Sequence, residues 1–223
     1  MNARIKGWIF GRSLRPRRIR FGLLRGWRFV VDPLEKSQRL LGLDEKEIAS
    51  HVRAATEHSR TAVDVGAHDG WYSTFFASRP NISRVIACDH NPRVVDRLKE
   101  NLNLNGLQGK VAVHVTSVGR SNTPGCRSLD DLLAGEAAPF VIKVDIDGGE
   151  LDALAGGATV LRDQDCSLIV ETHSLDLERA CIKHLKGLGY ETTVIPIGWY
   201  RRFVPELRPI PHNRWFVASR SIH

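Results

Sequence analysis

From residue 61 onward, short continuous apolar segments alternate with segments of helical spacing. Continuous apolar runs are typical of strands buried on both faces, and their strict alternation with helices indicates a parallel sheet covered on both sides. The predicted strands are TAVDVG (61–66), RVIACD (84–89), KVAVHVTSV (110–118), FVIKVDI (140–146) and SLIVETH (167–173), and the predicted helices are 71–79, 91–106, 127–135, 149–163 and 175–190. Two further strand candidates, ETTVIPI and RWFVAS, form a hairpin-like pair that predicts one antiparallel edge strand. We therefore predict an α/β fold with a mostly parallel sheet.

The N-terminal segment carries the positive charge of the chain. Residues 1–28 contain nine Lys or Arg and no acid, whereas the other 195 residues hold 23 basic and 25 acidic side chains. IRFGLLRGWRFVV (19–31) indicates two short strands around Gly22–Gly26. We expect residues 1–28 to be a basic arm that includes the start of this hairpin, and residues 29–223, with a further helix at 44–59, to be the main domain. The arm suits peripheral contact with an anionic membrane or a contact between subunits of a homo-oligomer.

The remaining composition points to an ordinary globular protein. No apolar run approaches the roughly 20 residues that a bilayer crossing needs, and the first residues lack the apolar core of a signal peptide. The four cysteines are far apart and form no C-x-x-C pair, which is typical of reduced thiols. We therefore expect a cytoplasmic protein.

Two acids mark the ends of the first two predicted strands. The first strand runs into Asp64-x-Gly66-x-x-x-Gly70, where the glycines allow a tight turn and close approach of a ligand to the backbone. An acid before the glycines disfavours a pyrophosphate and favours a ligand with an ammonium group. Asp89, at the tip of the second strand, is placed to accept hydrogen bonds from both hydroxyls of a ribose, since Asn91 can cap the next helix. Together these acids indicate a nucleoside that bears an amino acid, as S-adenosylmethionine does.

A second group of polar residues follows the fourth and fifth strands. Asp145 lies at the tip of the fourth strand, in the middle of the sheet, where it can orient a cofactor amine or remove a proton from an acceptor hydroxyl. Glu171 and His173 point to the same side of the fifth strand by alternation, so all three side chains can converge on one cleft. Two carboxylates and an imidazole are also plausible ligands of a divalent metal, although transfer from a sulfonium does not require one.

Three neighbouring residues in KVDIDGGE (143–150) have alternative interpretations. Lys143 lies within the strand and can be a buried ion-pair partner of one of the acids. Asp147 and Glu150 fall at the start of the next helix, where acids also interact favourably with the helix dipole.

Six ordered segments resemble the FkbM family of S-adenosylmethionine-dependent methyltransferases. They are VDVGAHDGWYS (63–73), the acid-x-Asn-Pro step at 89–92, NLNLNG (101–106), RSLDDL (127–132), KVDIDGGELDALAGG (143–157) and LIVETH (168–173). The resemblance covers residues 28–217 and implies a Rossmann-like class I methyltransferase fold with S-adenosylmethionine as cofactor. This chain departs from the family pattern at His68, Asp69, Asp147 and Gly149, and its stretch between Val118 and Ser128 is short. These departures bear on the acceptor more than on the cofactor.

The predicted activity is O-methylation of a hydroxyl on a small molecule or glycan. The predicted catalytic residues are Asp145, Glu171 and His173, the predicted cofactor-binding residues are Asp64, Gly66, Ala67, His68, Gly70, Asp89, His90, Ser117 and Asp145, and no metal ligand is assigned. One alternative is an RNA methyltransferase that uses the basic arm, which the slightly negative charge of the other residues disfavours. Another is a non-catalytic module with the same fold.

Overall fold

The computed structural model describes residues 8, 13–202 and 212–220 of the 223-residue chain. The strands are β1 (Arg15–Arg18), β2 (Arg28–Val31), β3 (Thr61–Val65), β4 (Arg84–Asp89), β5 (Val111–Val115), β6 (Ser117–Val118), β7 (Cys126–Arg127), β8 (Phe140–Val144), β9 (Cys166–Thr172), β10 (Glu191–Ile195) and β11 (Arg214–Ser219). The helices are α1 (Ser37–Leu41), α2 (Ala49–Glu57), α3 (Trp71–Ala77), α4 (Pro92–Asn103), α5 (Leu129–Leu132), α6 (Glu150–Ala155), α7 (Ala158–Asp163) and α8 (Leu175–Gly187), with 3-10 turns at Gln108–Lys110 and Trp199–Arg202.

Seven strands form one sheet in the order β10-β11-β9-β8-β3-β4-β5. Strand β8 is the central strand, and its neighbour β3 pairs in parallel with β4 and β8, so the predicted mostly parallel α/β fold is confirmed. The predicted position of the antiparallel strand was wrong, because β11 lies between β9 and β10 rather than at the edge. Trp215, Phe216 and Ala218 of β11 are buried, whereas residues 191–194 of β10 alternate between exposed and half-buried. The more apolar strand therefore occupies the inner position.

A small antiparallel pair, β1 and β2, packs beside the main sheet. Its first strand was predicted to begin at Ile19 but ends at Arg18, because Ile19 turns inward and is 1% exposed. Leu23 and Leu24 in the connecting turn are also buried in the main core. The predicted boundary after residue 28 thus falls within a hairpin that packs onto the domain.

Two predicted helices are shorter than expected. The helix predicted at 44–59 spans Ala49–Glu57, and the one predicted at 149–163 is divided into α6 and α7. The division falls at Gly156, where a Cβ atom would lie 1.9 Å from the carbonyl oxygen of Gly119. The glycine is needed because the loop between β6 and β7 packs directly against the helix backbone.

The described residues include no helix that is both long and apolar enough to cross a membrane. The four cysteines are free, and burial raises the pKa of Cys88, Cys166 and Cys181 to about 12. These three thiols therefore have little thiolate character at neutral pH.

Candidate active site

The turn after β3 brings three strand ends together. The backbone N–H groups of Gly66 and Ala67 both donate to the carbonyl oxygen of Cys88, at 2.9 Å, and the N–H of Asp145 donates to Val65, also at 2.9 Å. Gly66 has a φ of +81°, and a Cβ atom there would lie 1.8 Å from the carbonyl oxygen of Asp145. Only glycine allows the tip of β8 to approach this turn so closely.

Two clefts open at this edge, on either side of the turn. The β4 cleft has a volume of about 390 Å³ and is lined by Val65, Gly66, His68, Cys88, Asp89, His90, Asn91, Val94, Thr116, Ser117, Val118, Asp145, Ile146, Asp147 and Gly149. The β9 cleft has a volume of about 410 Å³ and is lined by Leu34, Glu35, Lys36, Gln38, Arg39, Asp44, Glu45, Gly66, Ala67, His68, Asp69, Trp71, Tyr72, Lys143, Asp145, Glu171, Arg201, Asn213 and Trp215. Gly66, His68 and Asp145 line both clefts, so the two spaces meet at the tip of β8.

Asp89 is the main anionic group deep in the β4 cleft. Its Oδ2 accepts a hydrogen bond from the N–H of His68 at 2.9 Å, and its Oδ1 accepts one from the N–H of Asn91 at 2.8 Å. Asn91 caps α4 through its own side chain, as predicted. His90 and Ser117 line the same cleft, and the His90 side chain is 77% exposed. The structure thus fixes the Asp89 carboxylate in one orientation at the cleft wall.

Two predicted cofactor-binding residues, Asp64 and Gly70, do not line either cleft. Asp64 is 1% exposed and points inward, where its Oδ2 accepts a hydrogen bond from the Ser73 hydroxyl at 2.6 Å. Burial raises the pKa of Asp64 to about 6, although Lys143 and the Ser73 hydrogen bond oppose the shift. Gly70 lies at the start of α3 with a φ of +84°, packed against Leu98. Both residues therefore contact the protein interior and stabilise the turn rather than facing a cleft.

The raised pKa of Asp64 gives a prediction about stability. Its folded pKa, about 6, lies above the ordinary value of 3.8, so the folded state favours the protonated form and loses stability as pH rises from about 4 to about 6. We expect Asp64→Asn to raise the free energy of unfolding at pH 8 by an order of 1–3 kcal/mol, and the gain to vanish near pH 4. Urea denaturation at both pH values measures this, with the exposed Asp163→Asn as control. An Asp64→Asn protein that is less stable at pH 8 would contradict it.

His173 lies among four carboxylates at the end of β9. Its Nδ1 is 2.6 Å from Glu150 Oε1, and its Nε2 is 3.2 Å from Asp147 Oδ1. Asp145 Oδ1 and Glu171 Oε1 are each 3.8 Å from the same Nε2. Burial opposes protonation of His173, but the hydrogen bond to Glu150 and the charge of Asp145 outweigh it and raise the pKa of the imidazole. The structure thus brings together the three predicted catalytic residues; their roles stay predictions.

Lys143 connects this cluster to the β9 cleft. The residue is 1% exposed, and its ammonium donates to Asp145 Oδ2 at 2.9 Å, which is the buried ion pair that the sequence suggested. Glu45 Oε2 lies 4.0 Å from the same nitrogen, and the Tyr72 hydroxyl donates to that oxygen at 2.5 Å. Burial raises the pKa of Glu45, and Lys143 acts in the opposite direction. A carboxylate, an ammonium and a phenol therefore line one wall of the cleft.

Arg39 lines the same cleft. Its Nη1 donates to Asp69 Oδ2 at 2.5 Å and its Nε to Asp44 Oδ2 at 2.9 Å. The guanidinium carbon lies 4.9 Å from the centre of the Trp71 ring and 5.6 Å from that of Phe29. This side chain thus links the hairpin, α1 and the turn after β3.

Sequence reasoning missed several residues of the β9 cleft. Arg39 and Glu45 lie in a segment that carries no recognisable motif. Glu150, for which a helix-dipole role was an open alternative, was not among the predicted site residues and is fully buried. Tyr72 follows the glycine turn within a segment of the FkbM resemblance, so its position could have been noted. The contact between Glu45 and Tyr72 joins residues 27 apart, which periodicity does not reveal.

Comparison with known proteins finds similarity to methyltransferases. Residues 118–192 match the methyltransferase FkbM domain. The hexuronic acid methyltransferase AglP of Haloferax volcanii is 27% identical over 199 residues, which is 77% of this chain and 82% of that protein.

Solved structures share the fold. Methyltransferase FkbM from Methylobacillus flagellatus superposes with a TM-score of 0.57 at 18% identity, over 72% of this chain and 43% of that one. Precorrin 8w decarboxylase from Methanobacterium thermoautotrophicum superposes with a TM-score of 0.54 at 21% identity, over 79% and 90%. A SAM-dependent O-methyltransferase from Thermotoga maritima gives 0.53 at 13% identity, over 80% and 66%. This chain thus spans less than half of the Methylobacillus protein, and at these identities the likeness concerns the fold. The domain match over residues 118–192 and the archaeal relative together support a methyltransferase that is similar to the FkbM family.

Proposed function

We propose that this protein transfers a methyl group from S-adenosylmethionine to a hydroxyl of a small molecule or glycan. The observation that carries the proposal is the position of Asp145, where the β4 and β9 clefts meet. A donor in one cleft and an acceptor in the other would meet beside this carboxylate. In an open parallel sheet, this edge is where ligands bind.

The β4 cleft fits the nucleoside part of the cofactor. Each oxygen of Asp89 accepts one backbone hydrogen bond, and a carboxylate oxygen has a second lone pair with which it can accept a ribose hydroxyl. Val94, Val118 and Ile146 give the same cleft an apolar surface for a purine ring. The glycine turn leaves space for the methionine part at the junction with the β9 cleft.

The chemistry requires alignment and the removal of one proton. The bound cofactor supplies a methyl group on a sulfonium, which is already activated for direct displacement. The protein's residues hold the acceptor oxygen in line and accept its proton, and a positioned base contributes roughly 100- to 10,000-fold. Asp145 lies at the junction, and donor atoms of Glu171 and His173 lie within 4.8 Å of its carboxylate, so we assign these three residues to this task.

The β9 cleft suits a polyhydroxylated acceptor. Trp71, Tyr72 and Trp215 provide aromatic surface, which packs well against the C–H face of a sugar ring. Glu45 and Glu171 provide carboxylate oxygens, which accept hydrogen bonds from hydroxyls. The archaeal relative is named for action on a hexuronic acid, which supports a sugar as the acceptor class.

Substitution of Asp89 tests the cofactor half of the proposal. We expect Asp89→Ala to weaken S-adenosylmethionine binding by 10- to 100-fold, since a charge-assisted hydrogen bond contributes about 1.5–3 kcal/mol. Isothermal titration calorimetry measures the affinity, and Asp96→Ala, on the exposed face of α4, is the matched control. Asp89→Asn, which retains one acceptor oxygen, should fall between the two. Equal affinity in wild type and Asp89→Ala would remove Asp89 from the cofactor site.

Isotope labelling tests the acceptor half. The protein is incubated with fractionated small-molecule and glycan extracts and with cofactor carrying a labelled methyl group. Mass spectrometry should then find the label on a hydroxyl oxygen of a sugar-containing product. Label found only on a carboxylate or only in RNA would overturn the proposed acceptor.

A further inference from the structure

Nitrogen and oxygen donors converge where β8 and β9 end. Asp145, Glu171 and His173 each offer one donor atom, and these atoms all lie within 4.8 Å of one another. Asp145 Oδ1 and Glu171 Oε1 are both 3.8 Å from His173 Nε2, and Asp147 Oδ1 is 3.2 Å from the same nitrogen. Ligands that share an octahedral cation at about 2.1 Å lie about 3–4 Å apart. The three distances to Nε2 therefore match the spacing within a coordination shell.

The second atom of each donor group is held in place by another residue. Three contacts do this: Lys143 Nζ donates to Asp145 Oδ2 at 2.9 Å, Trp215 Nε1 donates to Glu171 Oε2 at 3.0 Å, and His173 Nδ1 lies 2.6 Å from Glu150 Oε1. Outer contacts of this kind orient metal ligands in proteins, and a carboxylate on one imidazole nitrogen directs the lone pair of the other toward the metal. The donor atoms that converge are Asp145 Oδ1, Glu171 Oε1 and His173 Nε2.

Glu150 gives an independent indication of a positive ligand. It is fully buried, and its Oε2 has no hydrogen-bond partner among the described residues. A buried carboxylate is costly unless a positive charge lies nearby, and a cation bound to Nε2 of a neutral His173 would supply that charge in place of an imidazolium. Its other oxygen contacts His173, so a cation on Nε2 would be separated from this carboxylate only by the imidazole ring.

We propose that Asp145 Oδ1, Glu171 Oε1 and His173 Nε2 bind a divalent cation, with Asp147 Oδ1 as a fourth ligand. A mixed set of carboxylate oxygens and one imidazole nitrogen favours Mn²⁺ over Mg²⁺ and Ca²⁺, which prefer oxygen alone. This extends the sequence analysis, which assigned no metal ligand. The catalytic consequence rests on the proposed function: a cation there would lie beside the acceptor hydroxyl and favour its deprotonation. Binding of the cation itself is independent of the acceptor.

Direct titration with Mn²⁺ tests the site on the full-length protein. Electron paramagnetic resonance of free Mn²⁺ and calorimetry should show one saturable site per chain. Asp145→Asn, Glu171→Gln and His173→Ala should each weaken binding at least about 10-fold, in the range that loss of ligand contacts produces. Asp152→Asn is the matched control, because this acid lies nearby on α6 with a side chain 61% exposed. Circular dichroism verifies that each variant is folded.

A second measurement uses the protein without substitution of any proposed metal ligand. Bound Mn²⁺ should broaden the ring resonances of His173 far more than those of the exposed His58, at metal concentrations below that of the protein. Absence of saturable Mn²⁺ binding, or equal broadening of both histidines, would overturn the proposed site. Cofactor calorimetry in the presence of a chelator is run in parallel, so that failure of the metal site is distinguished from failure of the methyltransferase proposal.

Discussion

Replacing Asp145 with asparagine is expected to lower the rate of methyl transfer by roughly 100- to 10,000-fold while the fold is retained. Asp145 is the acid shared by both clefts, so it is the side chain best placed to act on an acceptor that meets the cofactor there. Asparagine has nearly the same shape but takes no proton at neutral pH. Lys143 would keep Glu45 nearby, at 4.0 Å, so the buried ammonium would not lose all negative charge.

The measurement is single-turnover transfer of labelled methyl groups to the acceptor identified by mass spectrometry. Cofactor affinity is measured on the same preparations, since a fall in affinity together with the rate would assign Asp145 to the cofactor amine. Asp147→Asn is the control and should be milder, because the Asp147 side chain is 80% exposed. His173→Ala should lower the rate with little change in cofactor affinity if His173 faces the acceptor. A rate near that of the wild type for Asp145→Asn would show that the acids serve only the helix start.

The alternation of strands and helices along the chain and the convergence at the sheet edge could be predicted from the sequence. Strands buried on both faces read as continuous apolar runs, and alternation along β9 places Glu171 and His173 on one side. Strand β8, which ends just before Asp145, was predicted in the middle of the sheet, and it pairs with β3. These features depend on local pattern, which a single sequence displays.

Long-range packing could not be predicted in the same way. The break between α6 and α7 depends on the approach of Gly119 to Gly156, and the inner position of β11 depends on its pairing with β9. Glu150 has the pattern of an acid in the first turn of a helix, yet its burial against His173 makes it part of the site. Such contacts join residues distant in sequence and leave no periodic signal.

The packing of residues 34–45, which line the β9 cleft, could not be predicted from the sequence either. Arg39 reaches Asp69 across 30 residues, and nothing in the spacing of SQRLL indicates a buried cation. The face of a short helix that carries an arginine is usually exposed to solvent, since arginine is rarely buried unless it is paired. Here the paired acids and the aromatic faces of Trp71 and Phe29 replace the solvent.

Removing the Arg39 guanidinium should therefore have the largest effect on stability. We expect Arg39→Met to lower the free energy of unfolding at neutral pH by about 3–5 kcal/mol, because it leaves a buried charge without its partner. The charge is that of Asp69, which is 8% exposed and whose Oδ1 keeps only a 3.4 Å contact with the half-exposed imidazole of His68. Methionine retains much of the apolar contact with the aromatic rings, so the loss reports mainly on the ion pair.

The pH dependence of this loss identifies its cause. Burial raises the pKa of Asp69, but the Arg39 guanidinium outweighs it and holds the pKa well below the usual range. In the wild type, this pair stabilises the fold above the unfolded pKa of Asp69, near 3.8, and its contribution is lost as pH falls. In Arg39→Met the carboxyl can be protonated at mildly acidic pH, so the destabilisation should be smaller at pH 4.5 than at pH 7.5. Urea denaturation of both proteins at the two pH values measures the difference.

The double variant Arg39→Met/Asp69→Asn should recover part of the loss at pH 7.5, because it removes the unpaired charge as well. Additive losses in the double variant, or a destabilisation that does not change with pH, would show that Arg39 stabilises the cleft wall by packing rather than by its charge.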